Sequence, residues 1–90
     1  MQPPRQIDGA TVLEWAWSDV PFGYVGGAAG VAVHGLAICQ YEGSSKVVRF
    51  GCNAKWETQQ DADYSSVEEA KAMVPAQYRF LRVNWHGTLR

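Results

Sequence analysis

The stretch Val48-Arg49-Phe50-Gly51-Cys52-Asn53-Ala54-Lys55-Trp56-Glu57 decides how the rest of the chain is read. Val48, Phe50, Cys52, Ala54 and Trp56 alternate with Arg49, Gly51, Asn53, Lys55 and Glu57, the period of a strand with one buried face. On its N-terminal side Val31 to Tyr41 is apolar on both faces apart from His34, Gly35 and Gln40, as a strand covered on both sides would be. Glu42-Gly43-Ser44-Ser45 supplies the loop of a hairpin between the two. A four-residue loop sets Phe50 opposite Ala37 and Cys52 opposite Gly35. A loop one residue different aligns Leu36 and Ile38 with the Phe50 face instead.

Outward from the hairpin, Thr11, Leu13, Trp15 and Trp17 alternate with Val12, Glu14, Ala16 and Ser18, giving a first strand with an aromatic face. Asp19 to Gly30 carries Pro21, Gly23, Gly26, Gly27 and Gly30 and reads as a loop or irregular crossing. Glu57 to Tyr64 is polar and acidic. Ser65 with Glu68, or Ser66 with Glu69, forms a capping box that starts a helix, with Val67, Ala70, Met73 and Val74 as its apolar stripe and Pro75 at its end. Beyond Pro75, Tyr78, Leu81 and Trp85 share a helical face, while Leu81, Val83 and Trp85 alternate as a strand would, and the strand is preferred. The expectation is an α+β fold, in which an antiparallel sheet of three to four strands carries one helix packed on one face. Residues 1–90 form one domain, with residues 1–8 a mobile N-terminal segment.

Composition narrows the functional classes. With 47% hydrophobic and 19% charged residues the chain lies in the globular range. The net charge of −1 hides an asymmetry: residues 1–70 hold nine acids and four bases, and residues 71–90 hold four bases and no acid. Met1-Gln2-Pro3-Pro4-Arg5 has no apolar core behind it, so no secretory signal is read and a cytoplasmic location is expected. Val20 to Tyr41 lacks charge, but five glycines, His34 and Gln40 dilute it, and it reads as loop plus buried strand rather than a membrane span.

Cys39 and Cys52 sit about 13 Å apart in the four-residue-loop register, too far for the roughly 7 Å that a disulfide spans between Cα atoms. With His34 and His86 they supply zinc-ligand types without the close ligand pairs a zinc site uses. Cys52 lies between Phe50 and Ala54 in an apolar row, where a nucleophile would need an exposed, electropositive pocket. Asp61 and Asp63 resemble the start of a calcium loop, but Ser66 stands at the glycine position and Ala72 at the final glutamate position. The glycines from Gly23 to Gly30 lack the lysine of a phosphate-binding loop. No catalytic residue, metal or cofactor is expected.

Binding surfaces remain. Four tryptophans and four tyrosines exceed what so small a core conceals, and such side chains dominate interface energy. One candidate patch is the acidic strip Glu57, Asp61 and Asp63, continued by Glu68 and Glu69, which suits a basic partner. The other is Tyr78, Arg79, Arg82, Trp85 and His86, which interleaves cations with rings as single-stranded nucleic-acid binders do. The preferred partner is a protein, the alternative is nucleic acid, and the chain is a monomer or a homodimer. Against these patches stands the plainer reading that Trp15, Trp17 and Trp56 pack together over the sheet.

A tryptophan-bearing first strand, a glycine-containing connection, a hairpin and the helix start Ser66-Val67-Glu68-Glu69-Ala70-Lys71-Ala72 together resemble the short α+β proteins encoded by phages and prophages. The resemblance spans residues 11 to 74. It implies a stand-alone accessory protein that occludes a host macromolecule, as anti-defence inhibitors of similar size do. It carries over no site residues.

Overall fold

The computed structural model describes residues 1–26, 29–75, 78 and 81–87. Eight strands and one helix lie among them, in the order β1 (Gln6–Ile7), β2 (Ala10–Trp17), β3 (Gly23–Val25), β4 (Val31–Val33), β5 (Gly35–Gln40), β6 (Val47–Cys52), β7 (Thr58–Tyr64), α1 (Val67–Ala72) and β8 (His86–Gly87). The main sheet is antiparallel, ordered β1-β2-β5-β6-β7 with β8 also against β2, and it curls into a half-barrel. β3 and β4 pair separately as a small second sheet.

The fold is therefore mostly β, which corrects the expected α+β class with its three- to four-stranded sheet and packed helix. Three physical causes account for the difference. Thr58 to Tyr64 is polar because β7 is an edge strand with only one half-buried side, yet it makes a full ladder with β6 from Val47↔Tyr64 to Cys52↔Thr58. The glycine-rich region contains β3, and the apolar run after it divides at His34 into β4 and β5, which belong to different sheets. The helix is only six residues long: Ser66 caps its start by accepting from the Glu69 amide at 3.0 Å, and Met73 already leaves helical geometry. Of the two capping boxes, Ser66 makes its half with Glu69, while the Glu69 carboxylate accepts from the Ser65 amide at 3.0 Å rather than from that of Ser66.

The β5–β6 hairpin takes the four-residue-loop register, with Gly35↔Cys52, Ala37↔Phe50 and Cys39↔Val48. Large residues there lie opposite small ones. The strand does not run on to Glu57, however: it stops at Cys52 and the chain turns. Within residues 1–8, expected to be mobile, Ile7 pairs with Ala10 and is buried. The segment from Leu81 to Trp85 is irregular but packs inward, and only His86–Gly87 pairs as a strand.

The registers sort the side chains onto two faces. One row runs Glu14–Ile38–Arg49–Ala62 and the next Ala16–Leu36–Gly51–Gln60. This face is covered by a second layer: Ala70 of α1 packs with Ile38 and Val47, while Val74, Tyr78, Phe22 and Val33 pack on Ala16 and Leu36. Lys71 of α1 pairs with Glu14 of β2 at 2.5 Å and ties the helix down. The opposite face carries Val12, Trp15 and Trp17 of β2, then Cys39, Ala37 and Gly35, then Val48, Phe50 and Cys52, and finally Asp63, Asp61 and Thr58 at the β7 edge.

Candidate functional site

That second face holds the candidate site, a corner of five aromatic rings. A bulge after Val12 makes Leu13 the extra residue, so Trp15 and Trp17 share the face of Val12 rather than that of Leu13. Trp17 stands opposite Gly35, where the missing side chain leaves a seat. Trp56 fills it: a Cβ at Gly35 would lie 2.5 Å from Trp56 Cζ3.

A single asparagine delivers that ring. Asn53 Oδ1 accepts from the Lys55 and Glu57 amides, both at 2.9 Å, and Asn53 Nδ2 donates to Glu57 Oε1 at 2.8 Å. The backbone closes the same turn, Asn53 N donating to Glu57 O and Trp56 N to Asn53 O, each at 3.0 Å. Trp56 adopts φ +61°, a left-handed conformation that costs a bulky residue on the order of 1–3 kcal/mol. The turn folds the ring back over the sheet, where it is 6% exposed. Among the described residues its buried Nε1–H has no hydrogen-bond partner, which adds to the tension at this residue.

Around Trp56 the rings interlock. Trp15 meets it edge to face at 6.3 Å and Trp17 lies tilted at 5.6 Å, both within the range of favourable aromatic pairs. His34 stacks on Trp17 at 5.7 Å, fixed by its amide on Cys52 O and by its Nδ1–H, which donates to Ser18 O at 2.9 Å. His86 of β8 pairs with Trp15 in the ladder, and its ring lies 4.6 Å from the indole. Trp17 Nε1 donates to Asp19 Oδ1 at 3.0 Å. Trp15 and Trp17 remain half-buried and His86 is exposed, so the corner presents ring surface to solvent.

The residues singled out in the sequence are dispersed by the fold. Glu57, Asp61 and Asp63 are exposed along the β6–β7 turn and the β7 edge, and Glu57 is where this acidic strip meets the tryptophan corner. Tyr78 is fully buried against Gly51, its hydroxyl donating to Gln60. Trp85 packs inward on the helix face, Arg82 is exposed, and His86 joins Trp15 at the far edge. Arg79 lies outside the described residues. The roles of His34 and His86 escaped sequence reading because they depend on the break between two sheets and on a two-residue strand. Trp17 opposite Gly35 was the signal that could have located the corner.

Burial pushes both Cys39 and Cys52 up to about 12, the reverse of what a thiolate nucleophile requires. Among the described residues no three His, Cys, Asp or Glu side chains converge as metal ligands, and no helix is long and apolar enough to cross a membrane. Comparison with family models, with curated proteins and with solved structures gives no match.

Proposed function

We propose that the chain is a small non-enzymatic protein-binding module that acts in the cytoplasm by occluding part of a host macromolecule. Its contact surface is the tryptophan corner, with the acidic strip beside it. The observation that carries this reading is the corner itself: five rings on a sheet face that, among the described residues, no helix or second sheet covers. Half-buried tryptophans held in a rigid cluster lose little conformational freedom when a partner covers them, which is why such residues anchor interfaces. The occluding mode follows the resemblance to phage-encoded accessory proteins.

Two placements favour a protein over nucleic acid. Tyr78 and Trp85, the rings that would stack bases in the C-terminal segment, are turned into the helix-face core. The exposed carboxylates of Glu57, Asp61 and Asp63 would repel a phosphate backbone. The test is an affinity capture from bacterial lysate with the tagged chain, with and without nuclease, repeated with Trp17→Ala after its folding is verified by circular dichroism. A protein that survives nuclease and is lost with Trp17→Ala is the expected result. Capture that disappears with nuclease would transfer the function to nucleic acid, and an empty capture would overturn the binding-module reading.

A further inference from the structure

The fold treats the two edges of its main sheet differently. Along the outer side of β2 lie two short strands, β1 at Ala10 and Thr11 and β8 at Glu14 and Trp15. At the other end β7 is paired to β6, and among the described residues no strand lies against its outer side over seven residues. Such an edge exposes a row of backbone N–H and C=O groups and is a template for another strand. Protein edges are commonly blunted by proline, lysine or a bulge. β7 has neither proline nor lysine, and the one irregularity in its pairing lies at the Thr58 end. Its protection is acidic.

That chemistry selects the occupant. In an antiparallel pairing with a second copy, centred on the middle residue of β7, Asp61 would stand directly opposite Asp61, a like-charge pair that destabilises a ladder. Glu57 before the strand and Glu68 after it are exposed and extend the same field, whereas Lys71 of α1 is engaged by Glu14. Asp61 and Asp63 project from one face two residues apart, so a strand with Lys or Arg at alternate positions would set a cation against each. We infer that β7 is the docking edge for an extended basic segment of the partner protein, which adds to the sheet as a further strand over residues 60–64. This rests on the reading of the chain as a protein-binding module, and it names the chemistry of what that module takes.

The test titrates the isotope-labelled full chain with a blocked synthetic peptide of alternating Lys and Val. Two controls accompany it: a peptide of alternating Glu and Val, and Lys-Val peptides N-methylated at alternate residues, which keep the charge but cannot pair. The expected result is shift changes and slowed hydrogen exchange confined to amides of residues 59–64. The Asp61→Asn/Asp63→Asn variant should bind about tenfold more weakly, and neither control should bind. N-methylated peptides that bind equally well, or shifts that fall away from β7, would overturn strand addition. If no peptide binds while a nuclease-resistant protein is still captured through the tryptophan corner, the edge inference alone falls. If neither binds, both fall.

Discussion

The two faces of the main sheet are buried by different means. The helix face is covered by added layers: α1, the β3–β4 hairpin and the segment through Leu81, Val83 and Trp85 all bring apolar side chains to it. The tryptophan face has no such layer among the described residues, yet Ala37, Cys39, Phe50 and Cys52 on it are buried. There the sheet's curl, Ile7 at one side and Trp56 folding back from its turn do the covering. The first face resembles an ordinary core and tolerates changes that preserve volume. The second depends on one ring in one seat. The difference teaches that a small sheet can keep an aromatic surface available to a partner while still hiding its own small residues beneath it.

The largest effect that separates the faces comes from pH, because both cysteines lie on the tryptophan face. Their thiols ionise at about 12 in the folded chain against an ordinary 9.0, with burial as the main cause. Between those values the unfolded chain releases protons that the folded chain keeps, so stability falls as pH rises from 9.0 towards 12 and is unaffected by these groups below 9.0. The upper bound is on the order of 4 kcal/mol per thiol. Denaturant titrations across this range should show the decline, and the Cys39→Ala/Cys52→Ala variant should flatten it. An unchanged slope in that variant would mean that the thiols are not sealed under the curl.

Next in size is the seat of Trp56. Trp56→Ala is expected to cost about 3–4 kcal/mol, since truncating a buried tryptophan leaves a large cavity while alanine, which still carries a Cβ, keeps the cost of the left-handed φ that the Asn53 turn imposes. Gly35→Ala should cost about 1–3 kcal/mol by overpacking in the wild type but much less in the Trp56→Ala background. The coupling in this double-mutant cycle, measured by guanidinium denaturation, is the quantity that matters. Additive costs would show that the ring does not rest on Gly35 in solution, and the contrast between the faces would then fail.

Some of this was legible in the sequence and some was not. The β5–β6 register could be posed from residue size, because Phe50 needs Ala37 and Cys52 tolerates Gly35. The start of α1 could be read because Ser65, Ser66 and Glu69 form a local device: the Ser66 hydroxyl accepts from the Glu69 amide and the Glu69 carboxylate accepts from the Ser65 amide. β7 could not, since an edge strand is not obliged to alternate strongly and Gln59, Gln60, Asp61 and Asp63 resemble a loop. The alternation past Cys52 misled for the opposite reason. Ala54 and Trp56 continue the period of two, but Asn53 gathers the amides of Lys55 and Glu57 and turns the chain. Trp56 reaches the predicted face by a route that periodicity cannot represent. The packing of Trp15, Trp17 and Trp56 on one another was foreseeable from composition, whereas the flanking His34 and His86 rings depend on contacts far apart in the chain.

The smallest expected effect tests the helix face through Arg49, its one buried charge among the described residues. Arg49 is 2% exposed; its Nη1 donates to the Tyr64 hydroxyl at 2.6 Å and to the Met73 carbonyl at 3.4 Å, and its guanidinium lies 5.0 Å over the Tyr64 ring. Met73 is the C-cap of α1, so the cation marks where the helix ends against β6. Its Nε has no hydrogen-bond partner among the described residues, and burial of an imperfectly matched charge contributes little net stability. Arg49→Met, which keeps most of the volume, should therefore change stability by less than about 1 kcal/mol, while Arg49→Ala, which loses the same donor to Tyr64 and the volume as well, should cost about 2–3 kcal/mol by opening a cavity under α1. Thermal melts of the two variants decide the matter. Equal losses would mean that the charge itself, rather than the filled volume, holds the helix, and the helix face would then depend on one specific contact just as the tryptophan face does.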